Sequence, residues 1–282
     1  MRRDDDEEEQ LAAKLIEGGS EIAGAAVGGA LGLIGGPLGV AFGSVGGVLA
    51  ARTIKRVGAE LQERYIGRQH MRMGAAAAVA AEDIGLRLLA GEDPRDDGFF
   101  ESDASGRTPG EELLEGVLLH AADAYDERKV RHLGWLYSSI AFDPHVTPAD
   151  ANFLLHVADR LTYRQLMALV LFGTEEYEPA VLALDVARGE GDARSGEAVI
   201  AELNDLASEN LLGLLQDDGR VGSLFGAYGG GDFGSLPLAS ARPTLLGADL
   251  VRLMRLDRIP RDDIADLYAE LGGHNVLPPR QG

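Results

Sequence analysis

Residues 22–51, IAGAAVGGALGLIGGPLGVAFGSVGGVLAA, run for thirty positions without a charge and contain ten glycines. Gly24, Gly28, Gly32 and Gly36 follow one another at intervals of four, as do Gly39, Gly43 and Gly47. On a helix that interval stacks the glycines on one face, where two backbones approach with no side chains between them. Pro37 has no backbone N–H and interrupts a single rod, so the spacing predicts two antiparallel arms, 22–35 and 38–51. A chain with this stretch has to shelter it in a protein core, in an oligomer or in lipid.

Length decides how lipid would take it. Fourteen helical residues reach about 21 Å, against a hydrocarbon core of about 30 Å. Longer arms import Glu17 and Glu21 on one side, and Arg52, Lys55 and Arg56 on the other. Only eleven of the thirty residues are Ile, Leu, Val or Phe, so the segment is expected to insert as an assembly and not as a monomer. In its glycine spacing it resembles the glycine-zipper hairpins of bacterial envelope and pore-forming proteins, a resemblance confined to residues 22–51. That implies self-association in a membrane, with the seven glycines as the seam. Two alternatives stand beside it: a hairpin buried in the core of a soluble homo-oligomer, and a permanent two-pass anchor. The following stretch places Arg52, Lys55, Arg56, Arg64, Arg68 and Arg72 against Glu60 and Glu63. A basic helix of this kind suits anionic headgroups on the cytoplasmic side, or is an ordinary solvated face.

The other 252 or so positions are acidic overall. The 282-residue chain carries 46 Asp and Glu against 26 Lys and Arg, a formal charge of −20, so a uniform attraction to nucleic acid or to anionic lipid is not expected and any anionic partner must be met locally. Cysteine is absent, which removes disulfides, thiolate catalysis and the usual structural zinc sites. Lys14, Lys55 and Lys129 are the only lysines. Met1-Arg2-Arg3 leads into six consecutive acids, Asp4 to Glu9, where a signal peptide would turn apolar. The expected location is therefore the cytoplasm, at or in the inner face of the cell membrane.

Four regions are expected: 1–91, the hairpin and a long helix from about 52 to 90; 92–108, an acidic linker; 109–195, a helical bundle; and 196–282, a smaller unit. The linker is dense in Gly, Pro, Asp and Ser, with Phe99-Phe100 as its one apolar feature. Thr108-Pro-Gly-Glu111, Thr147-Pro-Ala-Asp150 and Thr162-Tyr-Arg-Gln165 each carry a hydroxyl and a reciprocal acid or amide at capping-box spacing. Further helices are predicted over 127–141, over 196–213 and near the C-terminus, with a β excursion between Leu212 and Leu238. The fold class is mainly α. From about 160 to 256 the order helix, hairpin, then a helix introduced by Thr-x-x-Gly resembles the winged-helix fold. The resemblance implies a recognition helix, but 196–212 carries Glu197, Glu202, Asp205 and Glu209 and no Lys or Arg. DNA reading is therefore not expected, and a protein partner for this half is.

Two short repeats bear on chemistry, Leu118-Leu-His120-Ala-Ala-Asp123 and Leu154-Leu-His156-Val-Ala-Asp159. His and Asp three apart share a helix face, and two such faces opposed offer a metal two imidazoles and two carboxylates. The plainer reading is a local His–Asp bond on each helix. YGGGDFGS lacks the Lys-Ser/Thr of a phosphate loop and reads as the tip of a wing. No cofactor and no enzymatic activity is expected. The expected function is that of a membrane-associating, self-assembling protein whose hairpin is controlled by a soluble helical part, with a soluble homo-oligomeric scaffold or adaptor as the alternative.

Overall fold

A computed structural model describes residues 67–102, 106–174, 193–216, 218–223 and 240–270. The glycine segment, the acidic run at the start, Arg52, Lys55, Arg56 and Arg64 lie outside them. The described residues form eight α-helices and one small antiparallel sheet, so the fold is mainly helical. They fall into two compact units that meet in sequence between Arg160 and Leu161.

The first unit contains α1 (Arg68–Leu89), α2 (Pro109–Asp123), α3 (Glu127–Ile140) and α4 (Pro148–Arg160). α1 packs on α2 and α3, and α4 packs on the same two helices. α1 begins where Gly67 takes φ +73°. That left-handed residue suits glycine and ends any helical run reaching it from upstream, so the predicted single helix over 52–90 is broken there. Thr108 makes the predicted capping box: its Oγ1 accepts from Glu111 N at 3.0 Å, and its own N–H donates to the Glu111 carboxylate at 3.1 Å. Thr147 Oγ1 likewise accepts from Asp150 N, but its hydroxyl donates to the Asp150 carboxylate at 2.6 Å. Asp126 caps α3 by accepting from Arg128 N at 2.9 Å.

A division at 92–108 was expected, yet α1 lies before that stretch and packs with the helices after it. Two described parts of the stretch are buried. Phe99 and Phe100 stand edge to face in the core, 5.0 Å between centroids, and Phe99 O accepts from Gly110 N at 2.9 Å. Arg95, 5% exposed, donates through Nη1 to Val146 O at 2.7 Å and to Ile140 O at 3.4 Å. Its Nε donates to Asp97 Oδ1 at 2.8 Å, and its Nη2 pairs with the other oxygen of that carboxylate. The guanidinium also lies 4.5 Å from the centre of the Phe99 ring. The hydrogen bond from Arg95 is the first reason the Asp97 carboxyl is held below the usual carboxylate range. A stretch poor in apolar residues is thus ordered by one arginine that satisfies a carbonyl at the end of α3, Ile140 O, and one in the connection to α4, Val146 O. Arg95→Ala is expected to cost about 2 kcal/mol, read as a lower urea midpoint, and Arg95→Lys to recover little because it loses the fork.

The second unit contains α5 (Tyr163–Gly173), α6 (Ala193–Ser208), β1 (Leu212–Leu215), β2 (Val221–Ser223), β3 (Ala241–Pro243), α7 (Leu245–Leu253), a 3-10 turn (Leu256–Arg258) and α8 (Arg261–Glu270). Thr162 and Gln165 close the predicted capping box of α5, and Thr244 Oγ1 accepts from Gly247 N at the start of α7. β1 is central in the order β2-β1-β3, paired as Leu214↔Gly222 and Leu214↔Ala241. The first turn closes between Gln216 and Arg220 around Gly219, at φ +77°. The Ser235–Leu238 end of the expected β excursion lies outside the described residues; β3 ends at Pro243, a residue an edge strand accommodates. α5 is the hub of the unit, with α6, α7, α8 and β3 packed on it. Arg164 joins two of these contacts, donating through Nε to Glu202 at 2.6 Å and standing 3.6 Å from Glu270, while Tyr163 OH donates to Asp263 at 2.8 Å.

Candidate functional site

The His–Asp repeats lie on α2 and α4, which pack together, but the pairing is not the local one. His120 Nδ1 is 3.0 Å from Asp159 Oδ1 on the neighbouring helix. Asp123, which the local reading gave to His120, accepts from Gln69 Nε2 of α1 at 3.0 Å. His156 sits on the exposed face of α4. One imidazole and one carboxylate therefore meet, and the other two members point to different surroundings. Among the described residues no three His, Asp or Glu side chains come together as a metal would require, so the four-residue ligand set is not assembled.

Asp159 has a second partner that the repeats did not signal. Lys129 of α3 is 6% exposed and donates from Nζ to the main-chain carbonyl of Asp159 at 2.5 Å. The end of α4 is thus held by α2 through the Asp159 side chain and by α3 through its carbonyl. Burial pushes the Lys129 ammonium down to about 8, although the charges of Asp159 and Asp126 work the other way. Lys129 is the only lysine among the described residues. A second buried group, the Tyr137 hydroxyl of α3, is held above the ordinary phenol range by burial first and by the charge of Glu111 second. It stays neutral at physiological pH.

Two of the six basic residues proposed to face headgroups are described. Arg68 is largely exposed, 3.9 Å from Glu127. Arg72 is not available: its Nη1 donates to Ala122 O at 3.3 Å and its Nη2 to Glu127 at 3.5 Å, which ties α1 to the α2–α3 corner. Arg72 is therefore corrected from a lipid-facing group to a structural one. Its position four residues before Ala76 puts it on the packed side of α1.

The small residues of α1 are the other notable feature. Ala75 to Ala81 are all buried, and Gly134 of α3 allows the crossing: a Cβ there would stand 2.6 Å from Ala76 O and 3.0 Å from Val79 Cβ. Close backbone approach through small residues is thus already in use in the described part of the chain. Among the described residues no helix is long and apolar enough to cross a membrane. Comparison with protein-family models, with curated proteins and with solved structures returned no match.

Proposed function

We propose that the protein is a membrane-associating, self-assembling protein in which residues 22–51 act and the two folded units control them. The observation that carries this reading is the pair of four-residue glycine repeats in an uncharged stretch of thirty residues. Too short in each arm and too poor in large apolar side chains for a monomer to insert stably, the segment gains from glycine-to-glycine packing between copies. Arg68 and the upstream Arg52, Lys55, Arg56 and Arg64 are the cations that would rest on anionic headgroups. Homo-oligomerisation and lipid are the implied partners, with no cofactor and no catalysis.

The second unit serves in this reading as a winged-helix-like platform for a protein partner. Its support is the order α6, a β1–β2 hairpin, β3 and the Thr244-capped α7. With Glu202 already paired to Arg164, Asp205 and Glu209 give α6 and its end an acidic character, which favours a basic protein surface and disfavours nucleic acid.

Flotation with anionic liposomes tests the reading, comparing the full chain with one lacking 22–51 and reading dye release in the same tubes. Segment-dependent flotation is the expected result. Replacing Gly28 and Gly32 by Leu is expected to abolish crosslinked oligomers, because each added side chain separates the backbones. Unchanged oligomers would remove the seam. The soluble scaffold is the second reading, and one observation favours it: α1 already packs Ala76 and Val79 closely against Gly134 inside a helical unit. A chain that stays out of the lipid fraction yet remains oligomeric would decide for it.

A further inference from the structure

Arg131 of α3 follows Glu127 by four residues, the order and spacing at which an acid and a base on one helix usually pair. The pair is not made. Glu127 turns instead to α1, 3.5 Å from Arg72 and 3.9 Å from Arg68, while Arg131 Nε is out of reach of solvent and meets no hydrogen-bond partner. Arg72 Nε is in the same state. Elsewhere in the fold arginine closes on its carboxylate: Arg87–Glu92, Arg107–Glu115 and Arg128–Asp126 stand at 2.7, 2.6 and 2.8 Å. At this corner one stretched carboxylate serves two guanidiniums, and among the described residues Arg131 has no carboxylate at all.

Helix geometry sets the three cations on one corner. Glu127, Arg131 and Gly134 fall within about 60° of one another around α3. Glu127 lies against Arg72 and Gly134 against Ala76, so Arg131, between them, faces the turn of α1 from Arg72 to Ala76. Arg68 stands one turn before Arg72 with its side chain 76% exposed, and Arg131 is half-buried, so the corner is open at its edge. The neighbouring acids are engaged, Asp126 by Arg128 at 2.8 Å and Asp123 by Gln69 at 3.0 Å. In a chain with 46 acids against 26 basic residues, a guanidinium left without a partner beside two that share one is a local excess of positive charge. Two arginine forks match the several oxygens of a tetrahedral phosphate better than the two of a single carboxylate.

We propose that Arg68 and Arg131 bind a phosphate group at the corner of α1 and α3, with Glu127 as the internal carboxylate that yields its place. Arg72 keeps its bond to Ala122 O and its structural role. The phosphate is that of a lipid headgroup or free inorganic phosphate, since the chemistry offered by the two guanidiniums is the same. The site lies wholly within the first unit and needs no residue of 22–51, so it goes beyond the reading of that segment.

Trp135, the only tryptophan, follows Arg131 by one turn on the same side of α3 and is half-buried, which makes it the reporter. The full-length chain is titrated with inorganic phosphate at constant ionic strength, with chloride as the control, and is floated in parallel with phosphatidylglycerol vesicles and with neutral phosphatidylcholine vesicles. A saturable change of Trp135 fluorescence that chloride does not reproduce assigns free phosphate; binding to phosphatidylglycerol vesicles alone assigns the headgroup. In either arm Arg131→Gln is expected to weaken binding about tenfold, Arg131→Lys to recover part of it, and Glu127→Gln to strengthen it several-fold by removing the competing carboxylate. Opposite effects at two residues one turn apart are not what a general loss of fold produces, and urea midpoints check that each variant is folded. No response in either arm, no effect of Arg131→Gln, or weakening by Glu127→Gln overturns the site. Flotation that needs 22–51 but is indifferent to Arg131→Gln, without a response to phosphate, overturns the site and leaves the membrane reading standing. A phosphate response lost in Arg131→Gln, with no flotation of any variant, keeps the site and overturns the membrane reading.

Discussion

Gly134→Val is expected to destabilise the first unit by about 3 kcal/mol, near the upper end of what overpacking a core costs. The position tolerates no side chain because the nearest atom to an added Cβ is the main-chain oxygen of Ala76, at 2.6 Å. A side chain would rotate away, but a helical carbonyl is fixed by its own hydrogen bond. The next neighbours, Val79 Cβ and Cγ1 at 3.0 and 3.1 Å, close the remaining space, so α1 and α3 have to move apart. A β-branched residue adds two further atoms at one preferred χ1. In a domain of this size each kcal/mol shifts the midpoint by roughly 4–8 °C, so calorimetry should show a loss of about 12–24 °C. Gly134→Ala should fall between the two proteins. Gly116, where a Cβ would meet only the tip of Leu155 at 2.8 Å, is the control: Gly116→Ala should cost far less, because a methyl group turns aside more easily than a backbone. Equal losses at the two glycines would show that the α1–α3 crossing is looser than its geometry.

The elements read most plainly from sequence were those with a local cause. Thr108 with Glu111 and Thr162 with Gln165 place helix starts through bonds three residues long, and the Leu212–Leu215 strand follows a helix that ends at Ser208. The features missed have partners far away in the chain. Arg95 bonds to carbonyls 45 and 51 residues on, so the polar stretch around it looked like a linker although it is fastened to α3. The change of unit between Arg160 and Leu161 has no Gly or Pro to announce it, because the Thr162 box starts the next helix at once. His120 was matched with Asp123 by spacing, but a helix–helix contact gave it Asp159. Periodicity fixes which residues share a face; it does not fix which face of which helix is opposite.

Lys129 makes the stability of the first unit depend on pH in a direction opposite to most surface lysines. Its folded value is about 8 against an ordinary 10.5, so below pH 8 both the folded and the unfolded chain hold the proton and the folded chain bears the full cost of the buried charge. Between pH 8 and 10.5 the unfolded chain binds the proton and the folded chain does not, and stability rises with pH as the cost is relieved. The whole span is worth about 3 kcal/mol. Lys129→Met keeps the packed stem and removes the charge. At pH 7 it should be more stable than the native protein by about 1–2 kcal/mol, the remainder being lost with the bond to Asp159 O. Its urea midpoint should be flat between pH 8 and 10 where the native midpoint climbs. Lys129→Glu sets a third carboxylate against Asp126 and Asp159 and should destabilise at every pH above the carboxylate range. A native midpoint that falls steadily from pH 8 to 10 would show that Asp126 and Asp159 hold the ammonium fully charged in place. The junction at Asp159 would then be a conventional ion pair and not a group buried against its own preference.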